Sequence, residues 1–209
     1  MKRKFREFDW LSLLEVSGPF LSPMVIKKTF PQGLDAHKPD LFERLKLAYA
    51  EWNDAKKDPE IHREWINFVL KEVLSYPSET ILESQSIPQS LKADAAEYQI
   101  VLRPDLLIAN PHDVATAGRA RILFQIYPPG VDLIKPLPGK GWKESAAGRM
   151  AILLRATQVR LGLITNGEQW MLVNAKLGEN PGYISWYSNL WMELFSISSG
   201  EAPACDLSS

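Results

Sequence analysis

Three polar residues stand in or beside apolar runs near the middle of this 209-residue chain. Asp105 directly follows Pro104, and Gln125 and Tyr127 lie two positions apart in the next apolar run. On a β-strand, residues i and i+2 point to the same face, so Gln125 and Tyr127 would share one face. Cationic and amide side chains follow within the next few dozen residues, and the candidates among them are Lys135, Lys140, Lys143, Arg149, Arg155 and Gln158.

Other common catalytic arrangements are missing from the sequence. A serine nucleophile would need a sharp elbow such as Gly-x-Ser-x-Gly, and none occurs. The Pro-Gly-Lys-Gly stretch at 138–141 lacks the strand and helix that flank a phosphate-binding loop, so it is expected to be a surface turn. His37, His62 and His112 share no metal-ligand spacing. His62 lies within one helical turn of Trp65, which favours a structural histidine.

The elements that would position these residues can be read from the apolar pattern between residues 101 and 175. The runs at 101–108 and 122–127 are short, apolar and bounded by Pro, Gly or Asn, which favours buried strands. Apolar residues at helical spacing predict a helix over 143–158. A strand at 161–164, a Thr-Asn-Gly turn and a strand at 170–173 then predict a hairpin. The order is strand, strand, helix, strand, strand.

The N-terminal half is expected to be mainly helical. Apolar residues three or four apart predict a short helix at 8–16 and longer helices at 39–56 and 59–75. Residues 77–94 are polar and contain Pro88, so they are expected to form a connector. The tail 196–209 is rich in Ser, Gly, Pro and Ala and is expected to be disordered. We therefore expect an α/β (α+β) fold with N-terminal helices packed on a mixed central sheet.

Composition limits the classes of protein that the chain can belong to. Hydrophobic residues make up 45% and charged residues 23%, and the formal net charge is −1. Such a chain can bury a core, but its bulk charge does not favour nucleic acid or a membrane surface, so any DNA site must be a local patch. The single cysteine, Cys205, excludes an intrachain disulfide and fits a reducing, cytoplasmic setting. No window of the sequence resembles a signal peptide or a membrane span.

The strand, strand, helix, strand, strand order, with Pro104-Asp105 in the first strand, resembles the skeleton of the PD-(D/E)xK nuclease superfamily. The resemblance implies a restriction-endonuclease-like sheet in which an Asp and a Glu hold a divalent metal and a Lys two residues later activates water. Asp105 matches the first position, but Gln125 and Tyr127 stand where Glu and Lys are expected. Gln125 could offer Mg²⁺ a neutral oxygen, whereas Tyr127 cannot supply a positive charge. The resemblance therefore implies a degenerate site, in which Asp105 and Gln125 are the ligands of any bound metal. Lys135 and Lys143 are the candidates to replace the missing lysine.

A closer resemblance covers about residues 8–195. It is to the N-terminal region of large bacterial restriction-modification and phage-defence proteins, in which a nuclease-like domain precedes an N6-adenine DNA methyltransferase domain. It implies an N-terminal helical segment and connector at 1–90 and a nuclease-like α/β core at 91–195. No Asn-Pro-Pro-Tyr-type motif follows, so the chain is expected to be a stand-alone or truncated front module. The stretches that carry the resemblance are Ser17-Gly-Pro-Phe-Leu21, Phe30-Pro-Gln-Gly-Leu-Asp35, Leu102-Arg-Pro-Asp105, Arg149-Met150, Leu154 to Gly167 with Trp170, and Ser185-Trp186 with Leu190-Trp191.

Three functions remain open from the sequence. The first is a nuclease-like DNA-handling module of a defence system with a degenerate site, which predicts a basic surface at Lys135, Lys140, Lys143, Arg149 and Arg155 and salt-sensitive DNA binding. The second is an active Mg²⁺-dependent DNA endonuclease with an altered site. The third is a non-catalytic protein-interaction module of a defence complex, in which Trp142, Trp186, Trp191 and the apolar C-terminal element bind another subunit or a second copy of the chain.

Overall fold

The computed structural model describes residues 9–18, 22–31, 38–112, 115–116, 118–138 and 142–192. The expected disordered tail lies outside these residues. Within the described ranges, nine strands form a seven-stranded sheet and a separate two-stranded ladder. In chain order they are β1 (Glu15–Ser17), β2 (Ile81–Glu83), β3 (Ala93–Ala95), β4 (Ile100–Leu102), β5 (Leu106–Ala109), β6 (Ala120–Ile126), β7 (Leu161–Thr165), β8 (Gln169–Asn174) and β9 (Gly182–Tyr187).

The large sheet is mixed but mostly antiparallel, in the order β1-β9-β8-β7-β6-β5-β2. Its one parallel pair is β6 with β7, and the chain crosses between these strands through a helix, as a parallel pair requires. The neighbours β5 and β8 pair antiparallel with β6 and β7 respectively. The expected strand, strand, helix, strand, strand order and the expected mixed α/β class are therefore confirmed.

The described residues contain four α-helices, and they are α1 (Pro23–Thr29), α2 (Pro39–Asp54), α3 (Pro59–Phe68) and α4 (Ala146–Thr157). Helices α2 and α3 lie on one face of the sheet and α4 lies on the other. Asp58 caps α3 by accepting a hydrogen bond from the backbone N–H of Glu60, and Ser145 caps α4 by accepting one from Gly148. Helix α3 continues into a wider π-helical segment, Val69–Val73. The helices predicted over 39–56, 59–75 and 143–158 are confirmed with small changes at their ends.

Both faces of the sheet are buried, which explains why its central strands read as continuous apolar runs. Along β6, Phe124 packs on the side covered by α2 and α3, whereas Leu123 packs on the side covered by α4. Gln125 follows the same alternation and therefore faces α4. The α2/α3 side holds a cluster of large aromatic residues, and these include Trp52, Trp65, Phe124 and Trp170.

Three details differ from the sequence-based expectations. The run 101–108 is not one strand, because Arg103, Pro104 and Asp105 separate β4 in the two-stranded ladder from β5 in the large sheet. Proline cannot donate a ladder hydrogen bond, which accounts for the break. The expected connector 77–94 contains the edge strand β2, and the expected helix 8–16 is a 3₁₀ turn followed by β1.

The N-terminal ninety residues thus supply both outermost strands of the sheet, β1 and β2, in addition to the helices of one face. These edge strands have three residues each, which is too short for an alternating pattern to show in the sequence. Among the helices in the described ranges, none has the length and apolar character needed to cross a membrane.

Candidate functional site

Asp105 lies just before β5, beside the end of β6. Its backbone N–H donates to the carbonyl of Phe124 over 2.8 Å, and its Oδ2 accepts from the backbone N–H of Ile126 over 2.7 Å. The two stretches that carry Asp105 and Gln125 therefore lie side by side, as the sequence predicted. The carboxylate opens to a cavity on one side, and the loss of hydration on its other sides raises the pKa of Asp105 above its usual 3.8. The Ile126 N–H and the Arg63 guanidinium oppose this rise.

Gln125 is buried, and its side-chain amide is held at both ends. Its Nε2 donates to the carbonyl of Arg103 over 3.2 Å, and its Oε1 accepts from the hydroxyl of Tyr127 over 3.2 Å. Burial raises the pKa of Tyr127 to about 12, with Arg149 lowering it and Asp105 raising it further. Tyr127 is therefore an uncharged phenol near neutral pH, and its hydroxyl orients the side-chain amide of Gln125 by donating a hydrogen bond to it.

A metal ion at this position would find few charged ligands. Asp105 and the remaining lone pair of Gln125 Oε1 are the oxygens that could hold it, together with water. Within the described ranges, no group of three or more His, Cys, Asp or Glu side chains is placed to bind a metal ion. One carboxylate and one amide oxygen form a weaker site for Mg²⁺ than paired carboxylates do.

An open cavity of about 1270 Å³ borders Asp105. Its walls are formed by the start of α3, the end of β6, the start of β8, the end of β9, the strand β1 and the loop 128–134. Asp105 and Tyr127 line it, whereas Gln125 does not belong to its lining. The two candidate ligands thus lie beside each other in the sheet, but only Asp105 is in contact with the cavity.

His62 joins three elements at the wall of this cavity. The indole N–H of Trp52 donates to His62 Nδ1 over 3.0 Å, and His62 Nε2 lies 3.0 Å from the carbonyl of Tyr127. Because Nδ1 accepts, the proton belongs on Nε2, which then donates to Tyr127. Burial lowers the pKa of His62 below its usual 6.5, against the opposing effect of the Tyr127 carbonyl. His62 is thus a buried structural histidine with both nitrogens used, as predicted.

The Thr-Asn-Gly hairpin between β7 and β8 closes the same end of the sheet. Asn166 Oδ1 accepts from the backbone N–H of Gln169 over 2.7 Å, and Asn166 Nδ2 donates to the carbonyl of Val131 over 2.8 Å. The carbonyl of Gly167 accepts from the indole of Trp65 over 2.8 Å. The hairpin therefore positions both the loop 128–134 and α3, which makes it a structural part of the cavity wall.

The predicted cationic residues are dispersed. Lys135 forms an ion pair of 2.9 Å with Asp132, and its side chain is 79% exposed. The guanidinium of Arg149 lies over the ring of Trp142, 4.7 Å from its centre. Arg155 donates to the carbonyl of Glu179 over 2.8 Å at the far end of α4.

Arg149 lies close enough to Tyr127 to lower the pKa of the Tyr127 hydroxyl, whereas Arg155 has no such effect. Lys143 is exposed, just before α4, and Gln158 is the left-handed C-cap of that helix, with φ 59°. Lys140 lies outside the described residues. Of the predicted group, Arg149 is therefore the member that the fold brings next to the Gln125–Tyr127 pair.

The chain matches no protein-family model, no curated protein and no solved structure.

Two residues at the cavity were not singled out from the sequence. Arg63 lies on α3, where its charge lowers the pKa of Asp105, and it also forms an ion pair with Glu83 of β2. Gln169 is the first residue of β8, and it also lines the cavity. No local sequence signal could have identified either residue, because each reaches the cavity only through pairing of elements that are distant in the chain.

Proposed function

We propose that this chain is a nuclease-like DNA-handling module of a bacterial restriction or phage-defence system, with a degenerate catalytic site. The observation that carries the proposal is the position of Asp105. Its carboxylate accepts a hydrogen bond from Ile126 at the end of β6, and it lies opposite Gln125, one residue before the Leu106–Phe124 pair. This is the juxtaposition that the PD-(D/E)xK resemblance requires of its first two site residues. We also propose that the sheet is of the restriction-endonuclease-like type.

The connections of the sheet support the proposal. Strands β2, β5 and β6 pair antiparallel in succession, and α4 leads from β6 to the parallel strand β7. Helix α3 precedes this unit and packs on one face, whereas α4 packs on the other. The resulting helix-strand-strand-strand-helix-strand unit carries Asp105 and Gln125 at one end.

The degenerate site follows from the chemistry of the two substituted positions. Gln125 contributes no negative charge to a metal, and Tyr127 is a neutral phenol where a lysine would stabilise charge in the transition state. The hydroxyl of Tyr127 is also occupied by Gln125. Such a site would bind a phosphodiester with little capacity to cleave it.

The test of this proposal is salt-dependent binding to duplex DNA. We expect binding of a labelled duplex to weaken steeply between about 50 and 200 mM salt, because each neutralised phosphate contributes roughly −0.9 to the slope of log K against log salt. Arg149→Ala should reduce the slope by about one phosphate contact. Lys46→Ala, which alters an exposed lysine of α2 paired with Glu43, is the matched control and should leave the slope unchanged. Affinity that does not vary with salt would reject the proposal.

A second candidate is an active Mg²⁺-dependent endonuclease with Asp105 as its ligand. The observation that favours it is the opening of the Asp105 carboxylate onto a cavity large enough for a nucleotide unit. Incubation of plasmid DNA with Mg²⁺ or Mn²⁺ distinguishes the two functions. Cleavage that disappears in Asp105→Asn but persists in Asp132→Asn would establish the active enzyme, whereas uncut plasmid in every case would favour the degenerate module.

The protein-interaction alternative has less structural support. It needs exposed aromatic anchors, but Trp142 is only 6% exposed and Trp186 and Trp191 are half-buried against the α2/α3 core. Among the tryptophans whose exposure the structure describes, none is exposed. Docking through these indoles would require them to leave their present packing.

A further inference from the structure

The two-stranded ladder of β3 and β4 has no part in the function proposed above. It is separate from the large sheet, and Ala93 and Leu102, which pair across it, are buried in the core on the α4 side. Arg103 directly follows β4, and its carbonyl accepts the hydrogen bond from Gln125 Nε2. The ladder is therefore attached to the candidate site at one end and packed on the same side of the sheet as α4.

The turn between β3 and β4 presents the ring of Tyr98. This turn is a 3₁₀ segment, Ala96–Tyr98, and it ends at Gln99 in the left-handed conformation, with φ 55°. The Tyr98 ring stacks on the Trp142 ring, with 5.4 Å between the ring centres and 13° between the ring planes. Tyr98 is nevertheless 40% exposed, and Trp142 is the one described ring that contacts it. Because Trp142 covers one side of the Tyr98 ring, the exposed surface lies on the other side and the edge.

Trp142 also holds a cation that has no anionic partner. The guanidinium of Arg149 lies over the Trp142 ring, 4.7 Å from its centre. Arg149 is half-buried, and its side chain forms no ion pair or hydrogen bond with a described residue. Lys143, next to Trp142 in the chain, is exposed and likewise forms no ion pair with a described residue. A guanidinium that is oriented by an indole and lacks a carboxylate partner is a suitable contact for a phosphate.

The exposed ring of Tyr98 and the guanidinium of Arg149 are close enough to contact one short piece of nucleic acid. They lie no further apart than the sum of their distances to the Trp142 ring centre, 5.4 Å and 4.7 Å. That span corresponds to a few nucleotides, since successive phosphates of a strand are about 3.4 Å apart along the axis of a duplex. Glu97 is an exposed carboxylate on the turn that carries Tyr98, so a phosphate is disfavoured there. A base therefore suits Tyr98, and a phosphate suits Arg149.

We propose that Tyr98 stacks an unpaired base while Arg149 contacts a phosphate of the same strand, so that the DNA bound by this module carries a single-stranded segment. The inference rests on the DNA-handling function proposed above and specifies the form of its DNA. The bases inside a continuous duplex already stack on their neighbours, so Tyr98 would add nothing to the binding of such a duplex. Every base has an aromatic face, so stacking on Tyr98 should depend little on the sequence of the strand.

Fluorescence anisotropy of labelled DNA, measured on the whole chain at one low salt concentration, tests the proposal. The probes are a blunt duplex, the same duplex with an oligo(dT) tail of either polarity, and the same duplex with an abasic tail. We expect the oligo(dT) tail to tighten binding about tenfold, because stacking on an aromatic side chain contributes that much per base. The abasic tail keeps the phosphates but lacks the bases, so it should give little of this gain.

Variants of Tyr98 separate stacking from a structural role of the ring. Tyr98→Leu should remove the gain from the oligo(dT) tail and leave the affinity for the blunt duplex unchanged. Tyr98→Phe keeps the ring and should bind as the parent chain does. Val101→Ala removes exposed apolar surface from the same ladder, and as the matched control it should also bind as the parent chain does.

Several outcomes would overturn the inference. An equal gain from the abasic tail would show that bases are not recognised. Equal loss of affinity for tailed and blunt DNA in Tyr98→Leu, or loss in Tyr98→Phe as large as in Tyr98→Leu, would show that the ring does not stack a base. Salt-sensitive binding of the blunt duplex that requires Arg149, without any gain from a tail, would reject this inference and leave the proposed function standing. The absence of binding to every probe would reject both.

Discussion

Replacement of Gly167 by alanine tests the packing of the hairpin that closes the cavity. Gly167 has φ +87°, and a Cβ atom built there would lie 2.5 Å from Cζ2 of Trp52 and 2.9 Å from Cε1 of His62. Both rings are buried, and the hydrogen bond between them limits their movement. Alanine at this position must therefore displace the turn, and with it the Gly167 carbonyl that accepts from Trp65.

The size of the effect can be estimated from two contributions. An alanine in the left-handed region costs about 1–2 kcal/mol, and overpacking of a buried contact costs about 1–3 kcal/mol more. We therefore expect Gly167→Ala to lower the free energy of unfolding by roughly 2–5 kcal/mol. Domains of this size have a total stability of about 5–15 kcal/mol, so the loss would be a large fraction of the whole.

Gly178→Ala provides the matched control. Gly178 also has a positive φ, +79°, but nothing lies within 4 Å of a Cβ atom built there. Gly178→Ala should therefore lower the free energy of unfolding only by the backbone contribution of about 1–2 kcal/mol. Urea unfolding followed by tryptophan fluorescence measures both variants under the same conditions. Equal losses of stability in Gly167→Ala and Gly178→Ala would refute the reasoning, because the contact with Trp52 would then contribute nothing.

Three further predictions concern buried hydrogen bonds and a helix cap. Because the folded state lowers the pKa of His62, it binds fewer protons than the unfolded chain below pH 6.5. The free energy of unfolding should therefore fall as the pH drops below 6.5, by at most about 1.4 kcal/mol per pH unit. Urea midpoints between about pH 5 and 7.5 measure this slope, and His62→Gln should reduce it; an equal slope in both chains would contradict the assignment. Tyr127→Phe leaves the buried Oε1 of Gln125 without its donor and should lower stability by about 1–3 kcal/mol in the same assay, whereas no change would mean that water replaces the hydroxyl. Asp58→Ala removes the cap of α3 and should cost about 1 kcal/mol, whereas Asp58→Asn should cost little, and similar losses in both would count against the cap.

Much of the fold could be predicted because its central elements are buried on both faces. The apolar runs that became β6 and β7 contain few polar interruptions, and α4 shows helical spacing across its length. The sequences of the edge strands β1 and β2 show no comparable apolar pattern. Each has three residues and pairs with one neighbouring strand, β1 with β9 and β2 with β5, so each depends on a partner that is distant in the sequence.

The candidate site was predictable only in part. The chain position of Asp105 and its alignment with Gln125 follow from two neighbouring strands that pair directly, so sequence reasoning could place them together. The roles of the side chains were not predictable. Tyr127 occupies the Gln125 oxygen, and Asp105 bonds a backbone N–H, because of local geometry that a residue pattern does not contain.

The sequence by itself determined which segments are helices and strands in the centre of this protein, since burial imposes a period on the apolar residues of each element. It also determined the residue types beside the sheet end, including the amide and phenol at positions 125 and 127. Only the tertiary structure decided what those residues face. The cavity is built from β1, α3, the end of β6 and the start of β8, whose residues lie far apart in the chain, so it exists only where the fold brings these elements together.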